Sequence, residues 1–175
     1  ENKYLMQKHE LIAEVDVLLG GRAAEEVFIG EISTGAGNDL ERATGIIKSM
    51  ATIYGMSDIA GLMVLEKRTN QFLGGQTQKD FSDAMAKDLD DHVKNVLNER
   101  YEIVLQSLRD NSAAIEHMTA ELLDVEVITG ERVREIIKEN GGKVFEDEDL
   151  HSEAIKDENT HETSKNEEEI EIENK

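Results

Sequence analysis

The sequence predicts a mainly α-helical chain, on three observations. Apolar residues recur at three- and four-residue steps through most of the first 140 positions, the period of a helix with one buried face. Pro is absent and aromatic residues make up only 4 % of the chain, which suits uninterrupted helices. The periodicity then stops after Phe145, where Glu, Asp, Asn, Lys, Ser and Thr take over. A short β-hairpin is admitted among the helices, and a disordered acidic tail is expected after them.

The elements follow in order. From Lys8 to Leu19, Leu11, Ile12, Val15, Leu18 and Leu19 fall at helical spacing. Gly20-Gly21 is expected to interrupt this helix, with a short helical stretch resuming from Arg22 to Val27. Phe28 to Asn38 is rich in Gly, Ser and Thr and reads as a loop. Asn38-Asp39 supplies a start signal for a helix carrying Ala43, Ile46, Ile47, Met50 and Tyr54 on one face, stopped by Gly55. Leu62-Met63-Val64-Leu65 has the character of a short strand, and Gly74-Gly75 that of a turn. The longest element is expected over Thr77 to Leu108, with Phe81, Met85, Leu89, Val93, Val96, Arg100, Val104 and Leu108 in register. Further helices are expected from Ser112 to Leu123 and from Thr129 to Asn140, the second ended by Gly141-Gly142.

A chain of 175 residues is enough for one domain with one core. It opens at Glu1 without an initiator Met, so a cut from something longer, with motifs upstream, is expected. The absence of Cys excludes disulfides and thiolate metal sites. No run of about 18 apolar residues reads as a membrane span. The net charge of −20 argues against nucleic acid, whose phosphates require a concentrated basic surface. That charge is uneven: residues from Glu146 onward hold 13 acidic and 3 basic side chains, half of the acidic excess. Such a segment cannot bury enough apolar surface to offset its ordering entropy, so residues 144–175 are expected to be disordered.

Few residues offer chemistry. His9-Glu10 begins like the His-Glu-x-x-His zinc motif, but the fifth position is Ala13 and the motif fails. His92, His117, His151 and His161 have no second His three to five residues away, so these residues alone build no zinc site. Ser33, Thr34 and Ser57 have no His near them in sequence to act as a base. Gly35-Ala36-Gly37 lacks the Gly-Lys-Ser/Thr ending of a phosphate loop. Asp39 carries two readings. It can cap the helix that follows, a role in which Asp accepts backbone N–H bonds; or it can be a metal ligand brought by a loop to a site built elsewhere. Glu25 and Glu26 form a solvated face, or one of them accepts a hydrogen bond from a ligating imidazole.

These features occur in a particular order. Leu18-Leu19-Gly20-Gly21-Arg22-Ala23-Ala24-Glu25-Glu26 is followed by Ser33-Thr34-Gly35-Ala36-Gly37-Asn38-Asp39-Leu40-Glu41-Arg42-Ala43-Thr44, and then by Tyr54-Gly55-Met56-Ser57. Phe72-Leu73-Gly74 and Ile128-Thr129-Gly130-Glu131 come after. This closely resembles the peptidase domain of FtsH-type ATP-dependent zinc metalloproteases. The resemblance covers residues 1–140 or so, and implies that residues 1–143 are the C-terminal part of that helical domain, with the acidic tail of 144–175 outside it.

The resemblance also implies roles. Asp39 matches the third zinc ligand, completing a site begun by two His residues on an upstream helix. Glu25 matches a Glu that supports the site as a near neighbour of the metal. The His-Glu-x-x-His helix is absent from this sequence, so no catalytic residue is assigned within it and the isolated chain is expected to be inactive. For the whole protein the resemblance implies zinc as cofactor, ATP bound by a separate module, a homo-hexamer and unfolded polypeptide substrates. It further implies membrane attachment through other segments, at a bacterial inner membrane with the peptidase on the cytoplasmic side. Composition and periodicity alone would equally suit a non-catalytic helical oligomerisation module.

Overall fold

The computed structural model describes residues 5–67, 78–79 and 81–144. The chain divides after Asp110 into two compact units. The first holds three helices, α1 (Lys8–Ala24), α2 (Gly37–Thr52) and α3 (Asp83–Asp110), and the strands β1 (Glu66–Lys67) and β2 (Gln78–Lys79). The second holds α4 (Ser112–Val125) and α5 (Gly130–Glu139). The mainly α expectation holds.

α1 begins where the Glu10 carboxylate accepts the Gln7 amide at 2.7 Å, satisfying one of the donors that a helix start leaves unpaired. Its buried face is Leu11, Val15, Leu18, Leu19 and Ala23. The expected break at Gly20-Gly21 does not occur: α1 runs through both glycines to Ala24. Each Gly costs about 1 kcal/mol relative to Ala in a helix interior, and burial of Leu18, Leu19 and Ala23 around the pair outweighs it. A π-helical turn, Glu25–Ile29, follows without a gap, its Gly30 amide bonded to the Glu25 carbonyl at 3.0 Å. Gly30 ends it at φ +78°, a backbone conformation that side chains other than Gly rarely adopt. Phe28 and Ile29 therefore belong to this turn and not to the expected loop.

α2 starts one residue earlier than expected. Ala36 is its cap position and has no side chain that can cap, while Asp39 stands in the first helical turn. Ala43, Ile47, Met50, Ala51 and Thr52 are buried. Tyr54, expected on that buried face, is 47 % exposed. The helix stops at Thr52, before Tyr54 can complete another turn, and its end is wrapped by Tyr54 N–H donating to the Ser49 carbonyl and Met56 N–H to the Met50 carbonyl.

The strand expected at Leu62–Leu65 lies one step further on. Leu62 is in a turn and 94 % exposed, whereas Leu65 is buried and its amide bonds the Thr52 carbonyl at 2.8 Å. β1 and β2 pair antiparallel, Glu66 opposite Lys79 and Lys67 opposite Gln78. The turn expected at Gly74-Gly75 lies outside the described residues, as does the acidic segment from residue 145.

α3 is shorter than expected, starting at Asp83 where the Ser82 hydroxyl accepts the Met85 amide at 3.2 Å. Its 28 residues extend about 42 Å at 1.5 Å per residue. Leu89, Val93, Val104 and Leu105 are buried and join the α1 and α2 faces in one apolar cluster. Arg100, which fell in the apolar register, is not packed as an apolar side chain. Its guanidinium straddles the Asp16 carboxylate of α1, Nε to Oδ1 at 2.8 Å and Nη2 to Oδ2 at 2.5 Å.

In the second unit α4 packs on α5, burying Ala114 and Ile136. Thr129 caps α5 by accepting the Arg132 amide at 3.2 Å. Arg132 grips Glu121 of α4 through Nε at 3.0 Å and Nη2 at 2.9 Å, and reaches Glu135 and Glu139 through Nη1, each at 3.1 Å. These three carboxylates raise the Arg132 pKa still further, Glu121 contributing most.

Candidate metal centre

Asp39 is positioned by the segment that joins the π-helical turn to α2, residues 30–36. Within that segment Thr34 O accepts the Gly37 amide at 3.1 Å and Ala36 O accepts the Leu40 amide at 3.0 Å, which starts the helix. Asp39 then falls in the first turn, where unpaired backbone N–H groups favour a carboxylate. Its side chain is 45 % exposed and its partner is Arg42, one turn on, at 3.9 Å. Because Ala36 occupies the cap position, Asp39 is not the residue at which the chain enters the helix.

Glu25 sits at the start of the π-helical turn and faces back over the same segment. Its Oε2 accepts the Ser33 amide at 3.1 Å and its Oε1 accepts the Ser33 hydroxyl. Arg22 Nη1, one turn earlier on α1, lies 3.6 Å from Oε2. The Ser33 hydroxyl and then the Ser33 amide hold the Glu25 carboxyl below its ordinary range, against an opposing effect of burial and with a lesser contribution from the Arg22 charge. Glu26 points elsewhere and accepts the Tyr101 hydroxyl at 2.7 Å. Burial, with that hydrogen bond and the Glu26 charge, pushes the Tyr101 phenol up to about 12.

Beside these residues is an open groove of about 390 Å³, lined chiefly by Leu19, Arg22, Ile32, Leu40, Leu97 and Tyr101. Arg22 Nη1 is buried at its edge and makes no hydrogen bond, leaving the ion pair to Glu25 as its compensation.

The remaining His residues are dispersed. His9 opens α1, His92 lies on α3 and His117 on α4, while His151 and His161 fall outside the described residues. Among the described residues no three His, Asp or Glu side chains gather into a metal-holding group. A single Asp in the first turn of a helix fits one zinc ligand, a carboxylate oxygen being a normal donor for that ion, but cannot hold it alone. Sequence separation hid one contact: Ser57 Oγ lies 3.1 Å from His92 Nε2, 35 positions away. Ser57 Oγ also accepts the Ile59 amide at 3.4 Å, so the pair fastens the 57–61 turn onto α3. The Ser33 hydroxyl, a candidate nucleophile by residue type, likewise has a partner the sequence does not reveal, Glu25.

The profile of peptidase family M41 matches residues 1–136, and the chain belongs to that family. It is 67 % identical over 141 residues to the ATP-dependent zinc metalloprotease FtsH of Helicobacter felis, covering 79 % of this chain and 22 % of that protein. The protein of the same description from Sulfurovum sp. (strain NBC37-1) is 58 % identical over 140 residues, 79 % of this chain and 21 % of the relative. One from Lancefieldella parvula is 37 % identical over 154 residues, 88 % of this chain and 24 % of the relative. The chain thus spans about a fifth of the length of the curated relatives it matches.

Proposed function

We propose that this chain is the C-terminal part of the peptidase domain of a membrane-anchored, ATP-dependent zinc metalloendopeptidase, and that Asp39 is its third zinc ligand. The observation that carries the reading is Asp39 itself: a half-exposed carboxylate in the first turn of α2, paired only loosely with Arg42, in a chain matched by family M41 over residues 1–136. Two His ligands and a proton-accepting Glu, on a His-Glu-x-x-His helix that this sequence lacks, would complete the site. Zinc bound there would lower the pKa of a coordinated water and stabilise the negative charge that develops on the scissile carbonyl. This chain's share is to supply one anionic oxygen and to keep it in place. Glu25, through the loop it grips, supports the site as a near neighbour.

In the whole protein a separate ATP-hydrolysing module would feed unfolded polypeptide, from misassembled membrane and cytoplasmic proteins, into a homo-hexamer. The hexamer would be attached to a bacterial inner membrane with the peptidase on the cytoplasmic side. Among the described residues no helix is long and apolar enough to cross a membrane, so attachment would come from other segments. The acidic segment 144–175 would be a disordered extension dispensable for folding, and limited proteolysis that stops well short of residue 145 would contradict that.

The experiment is Asp39→Ala in the full-length protein. Bound zinc and proteolysis should fall sharply while ATP hydrolysis persists. Parental zinc content and proteolysis would remove Asp39 from the site.

A further inference from the structure

Ser33 has a place in the fold that its exposure conceals. Its hydroxyl works in both directions, donating to Glu25 Oε1 while accepting the Gly35 amide at 3.1 Å. Its own amide donates to Glu25 Oε2 at 3.1 Å. One side chain therefore joins the π-helical turn that follows α1 to the backbone just before α2, its bond to Glu25 spanning eight residues of sequence. The contact is close on every side: a Cβ added at Gly35 would lie 3.2 Å from Ser33 Oγ and 3.9 Å from Glu25 Oε1. Behind Glu25 stands Arg22, its Nη1 buried and 3.6 Å from the carboxylate.

Apolar packing at the first turn of α2 is limited to Ala36, buried just before it, and Leu40, partly buried against the apolar cluster. The helix's cap position is Ala36, which has no side-chain hydrogen bond to give, and Gly37 and Asn38 are exposed. The fully buried residues within the helix begin at Ala43, one turn beyond Asp39. The first turn is also held from below by a succession of bonds. Arg22 faces Glu25, Glu25 holds Ser33, Ser33 holds Gly35, and Thr34 O and Ala36 O receive the Gly37 and Leu40 amides. Asp39 is the next charged group in that succession.

We propose that Ser33 is a positioning residue for the metal: its hydroxyl sets where α2 begins and so where the Asp39 carboxylate stands. The proposal rests on the reading of Asp39 as a zinc ligand and goes beyond it by assigning the part of this chain that orients the ligand. Removing the hydroxyl leaves the Ser33 amide on Glu25 but takes the acceptor from the Gly35 amide, so the turn loosens without the helix being lost. A ligand that wanders by a fraction of an ångström binds its ion less tightly, and groups that orient metal ligands typically change affinity ten- to a hundredfold, by roughly that factor when removed.

The test compares zinc affinity, by competition with a chromophoric chelator, in the full-length protein and in its Ser33→Ala, Ser33→Thr and Asp39→Ala variants. Melting temperature and ATP hydrolysis are measured on the same preparations. Ser33→Ala should bind zinc about tenfold more weakly with a melting temperature near the parent's, and Ser33→Thr, which keeps the hydroxyl, should restore binding. Should Ser33→Ala lose its fold, Ser33→Gly takes its place, removing the hydroxyl without adding a group that binds zinc, against the same outcomes. Parental affinity in the variant without the hydroxyl, or a Thr variant as weak as the Ala one, would overturn the proposal. Asp39→Ala separates the two claims. If it retains zinc, the ligand reading itself fails; if it loses zinc while Ser33→Ala binds normally, only the role of Ser33 fails.

Discussion

Leu89→Ala probes the packing of α3 against α1 and α2. Leu89 is 2 % exposed and belongs to the apolar cluster shared by the three helices. The substitution removes three carbon atoms, which at about 0.8 kcal/mol per buried methylene is roughly 2.4 kcal/mol of lost burial. The space left behind adds to this, because surrounding helices relax only in part; core Leu→Ala changes fall at about 2–5 kcal/mol. A loss of about 3 kcal/mol is expected, equivalent to a urea midpoint lower by roughly 1.5 M for a slope of about 2 kcal/mol/M. Ile103→Ala is the control on the same helix. Ile103 is 45 % exposed, and the gain in helix propensity on going to Ala offsets the little burial it loses. Urea unfolding followed by circular dichroism at the helical band measures both. A Leu89→Ala midpoint within about 0.5 kcal/mol of the parent, or an equal loss at both sites, would refute this register of α3.

Three further outcomes follow from particular contacts. Arg100→Ala should cost roughly 1 kcal/mol: its fork on Asp16 is two-pronged, but both side chains are about a quarter exposed and solvent screens them; a thermal melt in low and high salt measures it, and no change in either would deny the pair a role. Glu25 has a folded pKa below its ordinary value, so its grip on Ser33 contributes stability that is full above the ordinary carboxylate pKa and is lost as pH falls through the depressed one. The protection factor of the Ser33 amide against hydrogen exchange should accordingly be high near neutrality and fall once acid protonates Glu25, and protection that persists would contradict the clamp. Gly142→Ala should destabilise α5 by about 1–3 kcal/mol, as overpacking does, since a Cβ there would come within 2.7 Å of Asn111 Oδ1 and Ile137 Cγ2; an unchanged melt of the α4–α5 unit would argue against that close approach.

Much of the helical architecture was legible in the spacing of apolar residues, because a helix with one buried face writes its period into the chain. Leu11, Val15, Leu18 and Leu19 in α1, and Leu89, Val93 and Val104 in α3, are buried as their spacing implied. The errors lie where local signals met tertiary forces. Gly20-Gly21 carries a breaking signal, yet packing on either side carries α1 through it. Asn38-Asp39 carries a capping signal, yet bonds to Thr34 and Ala36 started the helix just before it. Arg100 fits the apolar period because one face of α3 meets Asp16, and position alone does not distinguish a buried Val from a paired Arg. At the candidate site, the order of residues around Glu25 and Asp39 pointed to both through resemblance. The Ser33 clamp and the Ser57–His92 contact were not legible, since each depends on how the chain folds back over 8 or 35 positions.

Asp39→Asn in the full-length protein gives the most direct test of the central claim. Asn matches Asp in size and leaves the backbone of α2 undisturbed. What it loses for folding is small: a half-exposed ion pair to Arg42 at 3.9 Å, worth little in water, and a helix-terminus interaction of about 0.3–1 kcal/mol. What it loses for metal binding is the anionic oxygen. Zinc content per chain is to be measured after dialysis, alongside the melting temperature of the same preparation. The account predicts a melting temperature close to the parent's with zinc far below one per chain. Full zinc content at a parental melting temperature would contradict it.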